Sequence, residues 1–534
     1  MYFATIEKYA LLASRLFPSI PLGKDSSIAR LLESSAIFVP ADAYLRFLVA
    51  SVLYAALPEV LIVVVFQTLW SLPLLAPFVG LQLMPIILPY YRRWKRRHGI
   101  ETELPFMTML LFVLSHESFP NIIDAFLKVR ELGPDIFPHF SRESAVLERN
   151  LTYSGGSDLS VMESTFSTNP SSEFRSLVHG YLSTLLAGRN LHDFAREESG
   201  RLLDQLEERW RTFSHWLSSL AELSFVFLAI LPVGIQMIAT AFLNFGSANL
   251  VLLSVVLLTM ITLLMLGVMD AIQPAIHDRK YSMRGLVAVL LIWFIFSIMH
   301  HLRFLNIEEA LIPPTFASAI AVYLSRPFFS HLHSSENEVA ALLHALAEES
   351  RAGVSLPVAT SKVLLRAQRY PTLRGSLAQF EGLLRLGYTP IEAQKRVTHA
   401  SWLVRVSFAI LSVSFETGAG FDQLERLSSS FRRICDARRA LATSIIPLVL
   451  LGVSVPVISA AAVWFLSSMA GLGGVLPGLS LPTQLNEVAL SISATSMLSG
   501  LIISKAYTLS IRSLSAFPPI LLATLAALVF FGLQ

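Results

Sequence analysis

The sequence predicts an all-α, polytopic membrane protein with about nine transmembrane helices and two homologous cytoplasmic helical bundles. Three observations lead there. Hydrophobic residues fill 54% of the 534 positions and charged residues only 15%, where soluble domains carry roughly 25% charge. Apolar stretches of about 20 residues, the length that crosses a bilayer as a helix, recur along the chain. Between them lie two polar segments with a shared layout.

Taken in order, residues 1–43 form an N-terminal cytoplasmic segment. Its start, MYFATIEKYALLASRLF, has no apolar core followed by a small-residue cleavage site, so a signal peptide is not expected. Two spans, 44–65 and 69–90, make up a first membrane block at 44–91. The first cytoplasmic helical domain occupies 92–221. Spans at 222–243, 249–271, 284–301 and 307–326 fill the block 222–326. The start of the sixth span is interrupted by Glu308, Glu309, Pro313 and Pro314, so the count is eight or nine. The second cytoplasmic domain occupies 327–442, and spans at 443–466, 487–507 and 516–533 complete the block 443–534.

Orientation follows from Lys and Arg, which favour cytoplasmic loops. Arg92, Arg93, Lys95, Arg96 and Arg97 follow the second span. Arg279, Lys280 and Arg284 separate the fourth from the fifth, and Lys505 and Arg512 sit between the eighth and ninth. The opposite loops are nearly free of positive charge, with Arg303 the exception. The N-terminus is therefore placed in the cytoplasm and the C-terminus outside, in a multi-pass protein of the cell membrane.

The two polar segments match. Each opens on acidic residues and an apolar helix, ETELPFMTMLLFVLSHES from Glu101 and ENEVAALLHALAEESRAGVSL from Glu336. Each has a glycine turn near its middle, at Gly155 and Gly387. Each ends on a glycine with apolar residues three and six positions on: Gly188, Leu191 and Phe194; Gly418, Phe421 and Leu424. A stripe at 3/4 spacing follows both: Leu203, Leu206, Trp210, Phe213 and Leu217, then Leu424, Leu427, Phe431 and Ile434. This spells an internal repeat. The first unit has an even number of spans, so the copies lie parallel in the membrane.

Gly418, opening a helix in ETGAGFDQL, also raises the question of a phosphate loop. Such a loop needs a preceding strand and a Lys-Ser/Thr or a third glycine, which neither copy has. A positive φ or a close helix approach is the expected role.

Chemistry is otherwise sparse. The single cysteine, Cys435, excludes an intramolecular disulfide within one chain and any CxxC site; a small structural thiol is expected. No Walker A, HExxH, GxSxG or dinucleotide pattern occurs. GLGGVLPG at 471–478 reads as a flexible outer turn. His300-His301 and His331-x-His333 have metal-chelating spacing but no carboxylate or thiolate company nearby in sequence, so interfacial histidines are expected. Glu59 and Asp270 are ionisable residues in or at the end of spans, where a functional role is the default hypothesis. Asp270 lies near the cytoplasmic boundary, whereas Glu59 is a possible intramembrane functional carboxylate. No catalytic residue, cofactor or metal is expected.

Two basic groups mark the cytoplasmic face: Arg92, Arg93, Lys95, Arg96 and Arg97, and Arg432, Arg433, Arg438 and Arg439. One reading is contact with anionic lipid headgroups. The other is docking of an acidic cytoplasmic partner.

A duplicated unit of cytoplasmic helical domain and membrane helices resembles the type II secretion system F and type IV pilus inner-membrane platform family, in its archaeal archaellum or pilus assembly form. ELPFMTMLLFVLSHES and EVAALLHALAEESRAGVSLPVA carry the resemblance at the domain starts. LLAGRNLHDFAREESGRLLDQL and FETGAGFDQLERLSSSFRRI carry it at the domain ends. AELSFVFLAILPVG, ATSIIPLVLLGVSVPV and the closing SGLIISKAYTLSIRS, with Gly500 and Lys505, add to it. Glu117-Ser118-Phe119-Pro120 departs from the small residue and glycine usual after the first helix, and 154–173 reads as a flexible loop. The resemblance implies a non-enzymatic platform, with a cytoplasmic hexameric ATPase and pilin-like or archaellin-like subunits as partners. It also implies a homodimer, and no nucleic acid. A secondary transporter built from repeats and a membrane signalling scaffold are the alternatives.

Overall fold

The computed structural model describes residues 27–531, apart from 38, 67–70, 116–121, 156, 232–233, 235–246, 275–276, 280, 302–303, 305, 366, 419–420, 445 and 473–480. Glu117 to Pro120, Lys280, Arg303 and the 473–478 part of the glycine-rich turn lie outside the described residues. Nineteen α-helices and no strand occur among those described. The chain divides into two compact units, 1–203 with 412–417, and 204–411 with 418–534.

The first unit holds α1 (Ser27–Ser34), α2 (Ala41–Phe66), α3 (Ser71–Leu114), α4 (Ile122–Leu132), α5 (Phe140–Ser154), α6 (Asp158–Ser167), α7 (Ser172–Leu186) and the start of α8 (Leu191–Phe225). The second continues α8 and adds α9 (Ser247–Ile272), α10 (Arg284–His301), α11 (Ile307–Arg351), α12 (Leu356–Leu365), α13 (Arg374–Arg385) and α14 (Pro390–Arg396). It closes with most of α15 (Trp402–Thr417), α16 (Phe421–Ser444), α17 (Ile446–Leu472), α18 (Leu481–Thr508) and α19 (Phe517–Phe530).

The stretches expected to cross the membrane lie on helix wherever they are described, but for Ala516 and Phe531 at the ends of the last. Among the described residues three are long and apolar enough to span: Ala41–Val60, Val255–Ile272 and Ala489–Thr508. Arg284–His300, Gly452–Ala462 and Phe517–Phe530 are shorter apolar helices. This is fewer than the nine expected. Glu308 and Glu309 open α11, and 222–243 is described only as far as 231 and at Gly234.

The expected boundaries at 44, 92, 222, 327 and 443 all fall inside helices, and those at 92 and 327 lie deepest. The 44 residues of α3 and the 45 of α11 run without a break from apolar sequence into the polar segments. At 1.5 Å per residue each is a rod of about 65 Å. Arg and Lys mark where water begins, but they are good helix formers and do not end a helix. Pro327 removes one donor from α11 without stopping it.

Helix for helix, the two polar segments correspond in order: α3 to α8 in the first, α11 to α16 in the second. Gly155, Gly188, Gly387 and Gly418 have φ of +58°, +63°, +87° and +65°, and a Cβ on any of them would meet nothing within 4 Å. Of the two expected roles, positive φ is the one they fill. Gly133 and Gly353, at +93° and +80°, play the same part and went unread in the sequence. The stretch 154–173, expected to be a flexible loop, instead contains α6, started by Ser157, whose Oγ accepts from the Ser160 N–H.

The core of the first segment centres on four phenylalanines. Phe126, Phe140, Phe166 and Phe174 lie with ring centroids 4.9–6.0 Å apart, mostly tilted or edge to face. Such pairs add about 1 kcal/mol each beyond burial. In the second segment the stripe Leu424, Leu427, Phe431 and Ile434 is 1–2% exposed, and its helix α16 packs along α11. The stripe Leu203, Leu206, Trp210, Phe213 and Leu217 on α8 is equally buried.

Candidate functional site

The acidic openings of the two segments are Glu-x-Glu pairs with matching work. The first N–H groups of a helix have no partner in their own helix. Glu103, fully buried, accepts from the His139 N–H at 3.0 Å and the Phe140 N–H at 2.8 Å, at the start of α5. Glu338 accepts from Thr372 at 2.9 Å and Leu373 at 3.0 Å, just before α13. The other member of each pair takes a serine hydroxyl at the start of a later helix. Ser171 donates to Glu101 at 3.4 Å and Ser401 donates to Glu336 at 3.0 Å.

The cation that balances this first glutamate differs. Arg97, one turn earlier on α3, pairs with Glu101 at 2.7 Å and is half exposed. Glu336 is instead paired at 2.7 Å by Arg438 of α16, whose side chain is 8% exposed. Arg438 also lies 3.9 Å from Asp278 and over the Trp210 ring.

Asp278 belongs to the loop 273–283 that joins α9 to α10. Its carboxylate accepts from the Trp402 N–H at 2.6 Å, capping α15. In the same place Arg405 donates to the His277 carbonyl and the Arg279 N–H donates to Ala400 at 2.9 Å. The other end of the loop is held by Arg512, which donates to the Tyr281 carbonyl at 2.7 Å. Lys505, buried on α18, donates to the Leu266 carbonyl at 3.0 Å and pairs with Asp270 at the end of α9. The loop between α9 and α10, the closing segment and the second helical segment are thus fastened together by charged groups.

Burial and the neighbouring Glu336 push the Asp278 carboxyl up to about 6, with Arg438 pulling the other way. Burial, reinforced by Arg405, takes His399 down to about 4. The imidazole is therefore neutral, and its Nδ1 accepts from the Ser401 N–H. Burial and Glu336 push the Cys435 thiol up to about 12, in keeping with a structural thiol.

The two basic groups divide. Arg96 clamps Glu143 through two bonds of 2.8 and 2.9 Å and reaches the Ser34 carbonyl at 3.0 Å. Arg92 is half-buried, while Arg93 and Lys95 are exposed. Arg432, Arg433 and Arg439 are exposed on α16, and Arg433 reaches Asp204 at 2.7 Å. Arg438 leaves the expected docking set, because its partners turn it inward. Glu59 accepts from Gln82 at 2.9 Å within the α2–α3 hairpin. His331 and His333 are exposed on α11, and His300 is buried.

Comparison with protein-family models, with curated proteins and with solved structures finds no match.

Proposed function

We propose that the chain is a non-enzymatic inner-membrane platform for assembly of a type IV pilus-like filament, built by internal duplication. In this reading it couples a cytoplasmic assembly ATPase to pilin-like subunits in the membrane, through nine spans with the N-terminus inside. The observation that carries it is the fastening of the loop 273–283 to the second helical segment by Asp278, Arg405 and Arg438. A force on that segment would be handed to α9 and α10 through close charged contacts. The long helices α3 and α11, continuous from apolar into polar sequence, are a second rigid route.

The partner surface assigned to the ATPase is the exposed trio Arg432, Arg433 and Arg439. Gentle detergent pull-down of tagged protein from native membranes, read by mass spectrometry, tests this. A P-loop ATPase should be recovered, and lost when the trio is reversed to glutamate with Arg438 left intact. Recovery of no ATPase under any mild condition would sink the platform reading and favour the scaffold or transporter.

A further inference from the structure

A cavity of about 700 Å³ lies in the first unit, between α1, the stretch of α3 just past the second apolar segment, and the α6–α7 turn. Arg30, Arg93 and Arg175 line it, one from each of α1, α3 and α7. Among the described residues Glu33 is the one carboxylate on its wall, so the described lining carries three cations against one anion. Neighbouring basic residues are spoken for: Arg96 by Glu143 and Arg97 by Glu101. Among the described residues Arg30, Arg93 and Arg175 have no such partner.

The position of the cavity says what kind of anion reaches it. Tyr90 lines it too, at the end of the 69–90 apolar stretch, and Tyr91 and Trp94 follow with rings 6.0 Å apart. Tyr and Trp gather at the level of lipid headgroups. Asn169, also on the wall, is held by the Ser171 N–H and by Glu143, which Arg96 clamps. The wall is therefore braced from behind, while its three guanidinium groups have no carboxylate partner among the described residues. Arginine forks match phosphate oxygens, and their weaker hydration lowers the cost of the contact.

We infer that this cavity is a phosphate site, filled by the headgroup of an anionic phospholipid at the cytoplasmic surface. The inference needs only the membrane placement of α2 and the first part of α3. Failure of the ATPase pull-down would leave it intact, and its own failure would leave the platform reading intact.

The test uses the full chain in nanodiscs of phosphatidylcholine with phosphatidylglycerol. Native mass spectrometry counts the phosphatidylglycerol retained by the wild type, by R30Q/R93Q/R175Q, and by a control, R189Q/R374Q/R385Q, of exposed arginines elsewhere. Retention should fall about a hundredfold in the first variant, from about fivefold for each arginine near an anionic surface, and hold in the control. The charge-keeping R30K/R93K/R175K should retain most of the lipid, which separates lost charge from lost folding. Equal retention by the glutamine variant and the control would overturn the site. Inorganic phosphate that protects the wild type from unfolding, with no preference for phosphatidylglycerol, would overturn the lipid assignment in favour of a soluble phosphate.

Discussion

The two polar helical segments solve the same problem with different cations. Both place a Glu-x-Glu pair near the end of a long helix, and both use the second glutamate to cap a helix some 35 residues on. In the first segment the other glutamate is balanced locally, by Arg97 on its own helix. In the second it is balanced by Arg438, 102 residues away, which also meets Asp278 of the loop between α9 and α10. The difference teaches where a conserved-looking layout has been put to separate use. The second segment is the one whose buried charge is shared with the loop between α9 and α10.

The largest expected effect comes from breaking that shared charge. Arg438→Met leaves Glu336 and Asp278 uncompensated, and should cost about 3–5 kcal/mol. Arg97→Ala in the first segment should cost about 1 kcal/mol or less, since Arg97 is half exposed and water reaches its end of the pair. Thermal unfolding of the purified protein in mild detergent checks both. Similar losses would erase the contrast drawn here.

Next come the helix caps, where the two segments should behave alike. Glu103→Gln and Glu338→Gln each weaken two charge-assisted bonds to backbone N–H groups, at about 1–2 kcal/mol. Glu103 is fully buried and Glu338 half-buried, so Glu103→Gln should lie at the upper end. The same unfolding experiment reads the order.

Acidity sharpens the comparison, because two groups beside Arg438 and Arg405 titrate in opposite senses. Asp278 is raised, so between about 4 and 6 the native state binds more protons than the unfolded chain. Its share of stability is present at the acid end and lost as pH rises through about 6. His399 is lowered to about 4, so the unfolded chain binds more protons up to its ordinary value of 6.5. Its share is present above that value and lost as pH falls towards about 4. Unfolding of Asp278→Asn across this window should therefore gain stability with pH more steeply than the wild type. His399→Gln should gain it less steeply. Parallel slopes for all three would refute the assignment.

The smallest effects belong to the turn glycines. Alanine at Gly188 or Gly418 faces open space, so the cost is the left-handed conformation alone, about 1–2 kcal/mol. It should be equal in the two segments, as paired stability measurements would show.

Much of this was legible in the sequence. Glycine positions and 3/4 spacing are local signals, and they placed the repeated turns and the buried stripes on α8 and α16. Helix continuity was not legible at 92 and 327, because a run such as YRRWKRRH marks the edge of the bilayer without containing a stop. The roles of Glu101, Glu103, Glu336 and Glu338 needed partners 34 to 102 residues away, beyond any periodicity. Arg438 shows the limit most plainly. Beside Arg439 it reads as one more surface cation, and only Glu336, Asp278 and Trp210, distant in sequence, turn it inward. Gly133 and Gly353 could have been found, since each stands at the end of an apolar helical run.

The most direct test of the proposed platform coupling is filament assembly by the double variant Asp278→Ala, Arg405→Ala. It removes the bonds from the loop 273–283 to α15 and leaves the Glu336–Arg438 pair in place. The variant should insert in the membrane and still recover the P-loop ATPase, yet assemble no filaments. Filaments of normal number and length from a variant with this fastening cut would contradict the account.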